Sequence, residues 1–156
     1  MLKPFSSPEL KTRRRANRVA QIQFVLDSFA LITFLDAAKG TADVRHLLER
    51  ASRADCELFM SIINLGEVLY IAEREQGLSK ARETLVRIDN LPIQVVNVDR
   101  VQMLGAAHIK ARWPMAYADC YAAALARPKG ASIVTGDPEF RQLESDGLIS
   151  VSWLAS

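Results

Sequence analysis

Short apolar segments alternate along most of this chain with longer segments whose apolar residues recur at helical spacing. The short segments have the character of strands buried on both faces, and the longer ones that of amphipathic or buried helices. Such alternation predicts an α/β fold, a three-layer α/β/α sandwich with a mainly parallel central sheet. In sheets of this kind the ligand site lies at the carboxyl ends of the strands.

The cap and turn signals between these segments set their predicted boundaries. Asp99 precedes one helix as a candidate N-cap, and Gly40 and Gly77 follow two others as stop signals. The predicted strands are 22–26, 57–61, 93–98, 132–135 and 149–153. The predicted helices are 28–38, 42–53, 63–76, 79–88, 100–111, 117–126 and 139–144.

The size and composition of the chain exclude several classes of protein. Its 156 residues suffice for one domain of ordinary size. With 49% hydrophobic and 24% charged residues, the balance is that of a soluble globular protein and not of a disordered one. The longest apolar stretch, 24–35, is broken by Asp27. It falls short of the roughly 18 uninterrupted apolar residues of a membrane-spanning helix.

Positive charge is concentrated at the start of the chain. Residues 1–20 hold six basic side chains and one acidic side chain, a balance of +5, and the total of +2 leaves −3 for residues 21–156. We therefore divide the chain into a basic N-terminal tail, 1–20, and a slightly acidic domain, 21–156. The tail is either an arm that holds phosphate backbones without reading their sequence or a solvated, disordered segment.

The same region bears on where the protein works. Consecutive arginines at 13–15 precede the apolar stretch, as in an export signal, but Gln21 and Gln23 interrupt the continuity that such a signal needs. We therefore expect a cytoplasmic protein. Cys56 and Cys120 lack the CxxC spacing of a zinc or redox site, and we interpret them as buried thiols without a functional role.

Two aspartates come at the ends of predicted strands. Asp27 directly follows the first apolar strand, and Asp137 lies just past the strand 132–135. Because the carboxyl ends of parallel strands share one edge of a sheet, the two carboxylates could converge on one crevice. Each taken alone could equally be a helix cap or a turn former, roles in which Asp is common.

Two further acids lie within apolar helical segments. Asp119 is the only charged residue of 117–126, and Glu67 is the only one of 62–72. A helix that is apolar all round is normally buried, and a buried carboxylate must be paired, protonated or bound to a metal. Asp119 could instead cap a helix that begins near Cys120.

Four carboxylates in one cleft would repel one another strongly. A pair about 4 Å apart costs roughly 4 kcal/mol at an effective dielectric near 20, so the acids need protons or cations between them. A ligand set of carboxylate oxygens without histidine suits Mg²⁺ or Mn²⁺ and not zinc. Such ions commonly serve phosphoryl transfer, where they activate a water for in-line attack on a phosphodiester.

These residues, taken in order, resemble the PIN domain, in particular the toxin ribonucleases of VapBC-type toxin–antitoxin pairs. Four pieces carry the resemblance, and together they span the chain from residue 22 to about residue 153. They are Val25-Leu26-Asp27-Ser28, Asn64-Leu65-Gly66-Glu67-Val68, Tyr117-Ala118-Asp119 with the alanine run after it, and Ile133-Val134-Thr135-Gly136-Asp137-Pro138-Glu139-Phe140. Residues 1–20 extend beyond the usual start of the family.

The resemblance implies a metal-dependent endoribonuclease. The acids that would carry catalysis and bind one or two Mg²⁺ or Mn²⁺ ions are Asp27, Glu67, Asp119 and Asp137. Ser28 and Thr135 look like the hydroxyl residues that often accompany such acids. The implied partners are single-stranded or structured RNA as the substrate, an antitoxin whose tail covers the cleft, and a second copy of the chain in a homodimer.

Other polar residues and other functions stay open. His46 and His108 could act as general bases, but both lie in amphipathic segments where we expect a surface or packing role. Three basic residues flank the Asp119 helix and are either phosphate contacts or solvated charges: Arg112, Arg127 and Lys129. One rival function is a receiver-like phosphoacceptor domain, although 149–156 lacks the lysine that its chemistry needs. The other is a PIN-like scaffold that binds RNA or protein without cutting, against which the presence of all four acids argues.

Overall fold

The structure is a computed structural model, and it describes residues 20–156. The predicted basic tail therefore lies outside the described residues, apart from Ala20. The described residues test neither interpretation of that tail, the phosphate-binding arm or the solvated segment.

Five short strands form a single sheet within the described part of the chain. They are β1 (Ile22–Leu26), β2 (Cys56–Ser61), β3 (Gln94–Val96), β4 (Ser132–Thr135) and β5 (Ser150–Trp153). Their order across the sheet is β3-β2-β1-β4-β5, and every neighbouring pair is parallel. β1 is therefore central, and its carboxyl end lies at the same edge as those of β2 and β4.

Seven helices accompany these strands between residues 20 and 156. They are α1 (Ser28–Leu35), α2 (Thr41–Ser52), α3 (Ile62–Gln76), α4 (Leu78–Asp89), α5 (Arg100–Lys110), α6 (Tyr117–Lys129) and α7 (Phe140–Ser145). Within that same range, no helix is both long enough and apolar enough to cross a membrane.

The helices cover both faces of the sheet. Neighbouring residues of β1 belong to different cores, since Val25 packs with buried residues of α5, α6 and α7, whereas Leu26 packs with those of α1 and α2. A third core joins α1, α3 and α4 around Met60 of β2. Burial on both faces explains why the central strands β1, β2 and β4 are largely apolar, whereas the edge strands β3 and β5 are exposed or half-buried. The predicted three-layer sandwich with a parallel sheet is confirmed.

Most element ends agree with the prediction to within one residue, but α1 and β3 are shorter than predicted. α1 ends at Leu35, because Ala37 adopts a left-handed backbone conformation with φ 52°, which an α-helix cannot continue. β3 covers only Gln94–Val96 of the predicted 93–98, since only these residues pair with β2.

α6 is longer than predicted. The prediction ended it at 126, before Pro128, but the helix continues through Pro128 to Lys129. A proline this close to the end of a helix removes little of the backbone hydrogen bonding. Gly130, with φ 61°, then ends the helix in the left-handed conformation that glycine adopts readily.

Candidate metal centre

Asp27 lies where β1 meets α1. It is fully buried, and its Oδ1 accepts a hydrogen bond from the backbone N–H of Ala30 at 2.8 Å, so it caps α1. Its Oδ2 accepts a hydrogen bond from the Thr135 hydroxyl. The capping alternative is therefore correct for Asp27, but capping uses only one of its two oxygens, and the other is directed at β4.

Thr135 is the last residue of β4 and is fully buried. Its hydroxyl donates to Asp27 and accepts from the backbone N–H of Asp137 at 2.9 Å. A hydroxyl has one proton and two lone pairs, so both bonds can form together. Thr135 thereby holds the carboxyl ends of β1 and β4 in a fixed relation, which fits the accompanying role that the resemblance implies for it.

Asp119 lies in the first turn of α6 and is only 6% exposed. The helix begins at Tyr117, its N-cap is Ala116, and no side chain caps it. The alternative in which Asp119 caps a helix near Cys120 is therefore wrong. The carboxylate lies instead near the amino end of the helix, where the helix dipole favours negative charge.

Three carboxylates come together between α6 and the loop after β4. One oxygen from each of Asp119, Asp137 and Glu139 lies within 4.8 Å of the other two. Asp137 also accepts a hydrogen bond from the backbone N–H of Glu139 at 2.9 Å. The Oε2 of Glu139 accepts one from the backbone N–H of Ala116 at 2.8 Å. Glu139 therefore belongs to the group of acids and also binds the loop after β4 to the start of α6.

Glu139 is not among the site residues predicted from the sequence. In the sequence Glu139 stands at the start of a short predicted helix, where an exposed acid is ordinary, and within the fourth segment of the family resemblance. A usable signal was its spacing, since Glu139 lies two residues after Asp137 in the same strand-end loop. A tight turn in such a loop can direct both side chains to one side.

Glu67 lies on α3 and is partly buried. It does not belong to the group of three acids described above. Its charge nevertheless raises the pKa of Asp27 and that of Asp119. Glu67 is therefore a neighbour of the cluster. It lies on α3, which packs on the opposite face of the sheet from the helix of Asp119.

Burial raises the pKa of two of these acids. It is the main cause for Asp119, whose pKa rises to about 8, and the other acids add to it in the order Asp27, Asp137, Glu67, Glu139. The pKa of Asp27 rises to about 7, again mainly through burial, although the hydrogen bonds to its carboxylate oppose the rise. Among residues 20–156, the charged neighbours that shift these two pKa values most are all acids.

The donors of this centre fit a divalent cation that prefers oxygen ligands. Within residues 20–156 the ion pairs are Arg53–Asp55 and Lys80–Glu83, and neither includes one of these acids. Carboxylate oxygens with uncompensated charge are the ligands that suit Mg²⁺ and Mn²⁺. The residues present therefore fit the ion that the sequence analysis predicts.

A buried link joins three helices beside the acids. The Ser28 hydroxyl donates to the backbone carbonyl of Asn64 at 3.2 Å. The side-chain amide of Asn64 donates to Ser28 Oγ at 3.2 Å and to the carbonyl of Ala118 at 3.3 Å. These bonds connect α1, α3 and α6 at positions next to Asp27 and Asp119. The fully buried Oδ1 of Asn64 accepts no hydrogen bond from the described residues.

The histidines lie on the surface. His46 on α2 and His108 on α5 are both exposed, and the Nδ1 of His108 is 3.0 Å from an Arg112 guanidinium nitrogen. This placement agrees with the surface role expected for them. Cys56 and Cys120 are both buried and free, as predicted.

The basic residues at the end of α6 lie far from the acids. Arg127 and Lys129 are in the last turn of this 13-residue helix, and Asp119 is in its first. The rise of a helix separates Arg127 from Asp119 by roughly 12 Å along the axis. Lys129 Nζ instead lies over the Phe59 ring, 4.0 Å from its centroid. Neither residue is brought to the cluster.

The family model of the PIN domain matches residues 24–145 of the chain. This segment runs from β1 to the end of α7 and contains all of the acids described above. No curated protein sequence gives a significant match.

Solved structures with a similar fold include complexes of toxins and antitoxins. VapBC2 from Rickettsia felis, bound to a DNA fragment from its promoter, has a TM-score of 0.70 at 12% identity and covers 86% of this chain and 100% of its own. DNA-bound VapBC from Salmonella typhimurium has a TM-score of 0.64 at 20% identity, and the match covers 85% of this chain and 98% of that one. VapC20 from Mycobacterium tuberculosis, a toxin that cleaves the sarcin–ricin loop, has a TM-score of 0.58 at 18% identity. The match covers 82% of this chain and 98% of that one. At these identities the likeness concerns the fold.

Proposed function

Because the chain belongs to the PIN-domain family, we propose that it is a metal-dependent endoribonuclease that hydrolyses phosphodiester bonds in RNA. One observation carries the proposal, namely the gathering of Asp119, Asp137 and Glu139 within 4.8 Å. Acids this close are stable only with protons or cations between them. PIN domains are in general metal-dependent nucleases, and the acid cluster agrees with that chemistry.

The residues that would hold the ion are the acids that the sequence singles out. They are Asp27, Glu67, Asp119 and Asp137; the geometry groups Asp119 and Asp137 with Glu139, and Asp27 and Glu67 lie outside that group of three. Mg²⁺ or Mn²⁺ is the ion that this donor set suits. When bound, it would activate a water for attack on the phosphodiester and offset the charge that develops on the phosphate.

The part played by the protein is to hold these acids in place before the substrate arrives. The Ala30 N–H and the Thr135 hydroxyl bind the two oxygens of Asp27, so its carboxylate has a fixed orientation. The link between Ser28 and Asn64 fixes α1 and α3 relative to each other. Groups already in position lower the barrier because little ordering is left for the reaction itself.

We further propose that the protein is the toxin of a toxin–antitoxin pair. The support comes from the structures of similar fold, which include VapBC complexes and a toxin–antitoxin complex from Klebsiella pneumoniae. By this analogy the chain would bind a cognate antitoxin. A homodimer is what the family resemblance implies. The family match argues against the receiver-like alternative, and the experiment below separates the nuclease from the non-cutting scaffold.

The test is cleavage of a mixed pool of tRNA and mRNA by the purified protein with Mg²⁺, with Mn²⁺ and with chelator. We expect cleavage with either ion and none with chelator. The substitution Asp119→Asn removes a charged ligand at constant shape. It should lower the rate by more than the roughly 10–100-fold that loss of a supporting residue costs at metal sites.

The matched control is Asp99→Asn. Asp99 caps α5 by accepting from the Gln102 N–H at 2.7 Å, and asparagine caps about equally well. Its activity should therefore equal that of the unchanged protein. Metal binding without cleavage would favour the non-cutting scaffold, whereas neither binding nor cleavage would overturn the metal centre itself.

A further inference from the structure

The loop between α5 and α6, residues 111–116, is anchored to the core of the protein. Trp113 is half-buried and packs against the core that α5, α6 and α7 share, and Met115 belongs to that core. The backbone N–H of Trp113 donates to the carbonyl of Ile109 at 3.0 Å, and that of Met115 donates to the carbonyl of Trp113 at 3.0 Å. The loop therefore follows a defined path toward Ala116, its last residue.

The indole of Trp113 binds the residue that directly follows α7. Its Nε1 donates to Oδ2 of Asp146 at 2.8 Å. The other oxygen of Asp146, Oδ1, accepts from the side-chain amide of Gln142 on α7 at 2.9 Å. The bonds from Trp113 and Gln142 lower the pKa of Asp146, because they favour its ionised form. With both oxygens bound, this carboxylate has a fixed orientation although it is exposed.

The same loop is bound at the other end of α7. Glu139, which directly precedes α7, accepts from the backbone N–H of Ala116 at 2.8 Å. Two carboxylates therefore flank α7, and both bind residues 113–116. The closest backbone contacts of α7 with another element are those with β5. Its attachment toward α6 consequently runs through this loop and through the shared core.

These two attachments lie between acids of the candidate metal centre. Asp119 comes three residues after Ala116, and Asp137 comes two residues before Glu139. The separation of the two aspartates is therefore set by the loop on one side and by α7 on the other. Groups that act together at a site must be held to within about 0.5 Å, and the residues that support them provide this precision.

We propose that Trp113 and Asp146 are positioning residues of the metal centre. They act through the loop and α7, without touching the ion, and hold Asp119 and Asp137 at the separation that a divalent ion requires. The proposal rests on the proposed metal centre and goes beyond it, because neither residue belongs to the group of acids. By local sequence alone, Asp146 would be an ordinary exposed acid after a short helix.

The test measures the Kd of the full chain for Mn²⁺ by calorimetric titration, at a temperature well below melting. Asp146→Ala removes the acceptor for both bonds. Asp146→Asn removes the charge but keeps an oxygen for the indole and an amide that can pair with a turned Gln142. Trp113→Phe keeps a ring against the core and removes only the N–H.

The matched control is Glu144→Ala. Oε2 of Glu144 accepts from the indole of Trp153 at 2.9 Å, which is the same kind of bond as that between Asp146 and Trp113. It joins α7 to β5, however, and not to the loop before α6. Its loss should therefore leave the two aspartates where they are.

We expect Asp146→Ala and Trp113→Phe to bind Mn²⁺ about tenfold more weakly, at the lower end of the effect of supporting residues at metal sites. Asp146→Asn should bind within about twofold of the unchanged protein, because the bond to the indole is kept. Glu144→Ala should bind like the unchanged protein. The double variant Trp113→Phe/Asp146→Ala should be no weaker than Asp146→Ala, since both substitutions remove one bond.

Thermal melting in chelator separates positioning from a role in stability alone. If the bond served only the stability of the fold, Asp146→Ala would lower the melting temperature. The folded protein, measured well below that temperature, would then keep its full affinity for Mn²⁺, and the proposal would be overturned.

Two further results would overturn the proposal while the metal centre stands. Equal weakening in Asp146→Asn and Asp146→Ala would show that the charge of Asp146 matters and not its bond to the indole. Equal weakening in Glu144→Ala and Asp146→Ala would show a general loosening of α7. If the unchanged protein binds no Mn²⁺, the proposed metal centre fails and this proposal fails with it.

Discussion

Asp119 carries its carboxyl group in a helix that is otherwise nearly all apolar, and its burial there has a measurable cost in folding stability. Its pKa is about 8 in the folded chain against an ordinary value of 3.8. Between these pH values the folded protein keeps a proton that the unfolded chain has released. Stability without metal should therefore fall as the pH rises from about 4 to about 8. Thermal melting in chelator at several pH values measures this.

The substitution Asp119→Asn isolates the effect. It removes the titrating group, so the melting temperature in chelator should depend less on pH and should exceed that of the unchanged protein by several degrees at pH 8. Asp99→Asn should leave the profile unchanged. A melting temperature that rises from pH 4 to pH 8 because of Asp119 would contradict the direction of its pKa.

Gly136 and Phe29 are predicted to be coupled in stability. A Cβ at Gly136 would lie 2.4 Å from the Phe29 ring, so Gly136→Ala must displace that ring. We expect the substitution to cost about 1–3 kcal/mol of unfolding free energy, the usual range for overpacking. In a Phe29→Ala background the obstacle is gone, and the cost should nearly vanish. Urea denaturation of the four proteins gives the coupling.

An equal cost of Gly136→Ala in both backgrounds would show that the ring is not what excludes a side chain there. The comparison is clean because Gly136 does not adopt the positive φ angle that alanine disfavours. It therefore measures contact between the two residues and not backbone strain.

At the scale of elements, Glu139 joins the loop after β4 to the start of α6. Its Oε2 accepts from the Ala116 N–H at 2.8 Å and its carboxylate lies in the acid cluster. Glu139→Gln keeps an acceptor and removes the charge, so stability should be retained while metal affinity falls. Glu139→Ala should also cost about 0.5–1.5 kcal/mol of unfolding free energy. Thermal melting and calorimetric titration with Mn²⁺ separate the two effects.

Glu144→Gln provides the control for that pair of variants. Glu144 also accepts from a neutral N–H, the Trp153 indole at 2.9 Å, but it lies outside the cluster. Its loss of charge should leave metal affinity unchanged. Equal affinity for Mn²⁺ in Glu139→Gln and Glu144→Gln would remove Glu139 from the centre.

The pattern of the sequence predicts the elements better than it predicts how they end. Apolar periodicity identifies all strands and helices of residues 20–156, because the central strands β1, β2 and β4 are largely buried on both faces and the helices bury apolar residues against the sheet. The end of α1 depends on the left-handed Ala37, and the continuation of α6 depends on Pro128 falling in its last turn. Neither depends on a hydrophobic pattern.

The same distinction applies to the site. Asp27, Asp119 and Asp137 can be picked out because each is an acid at a strand end or within an apolar helix. Glu139 is marked only by its spacing to Asp137, and Asn64 not at all, because an acid in a turn and an amide near a strand end are ordinary locally. What gives them a place in the centre is contact with Ala116 and Ala118, which the folded chain alone provides.

For the whole molecule, a centre built of acids without an ion-pair partner among residues 20–156 would link metal binding to stability. An ion that binds only the folded state stabilises it by about 2.7 kcal/mol when present at 100 times its Kd. We therefore expect Mg²⁺ or Mn²⁺ to raise the melting temperature and chelator to reverse the rise. Asp119→Asn should lose most of this gain, whereas an equal gain in both proteins would indicate ion binding elsewhere.

The acids of the centre are spread along the chain from position 27 to position 139, and this has a consequence for when the protein can act. Domains form during synthesis from the amino end, at roughly 5–20 residues per second. A chain that has not reached β4 has neither Thr135 to hold Asp27 nor the loop that brings Asp137 and Glu139 to α6. The proposed nuclease is therefore inactive for most of its own synthesis, and fragments from an interrupted message would be harmless to the RNA around them.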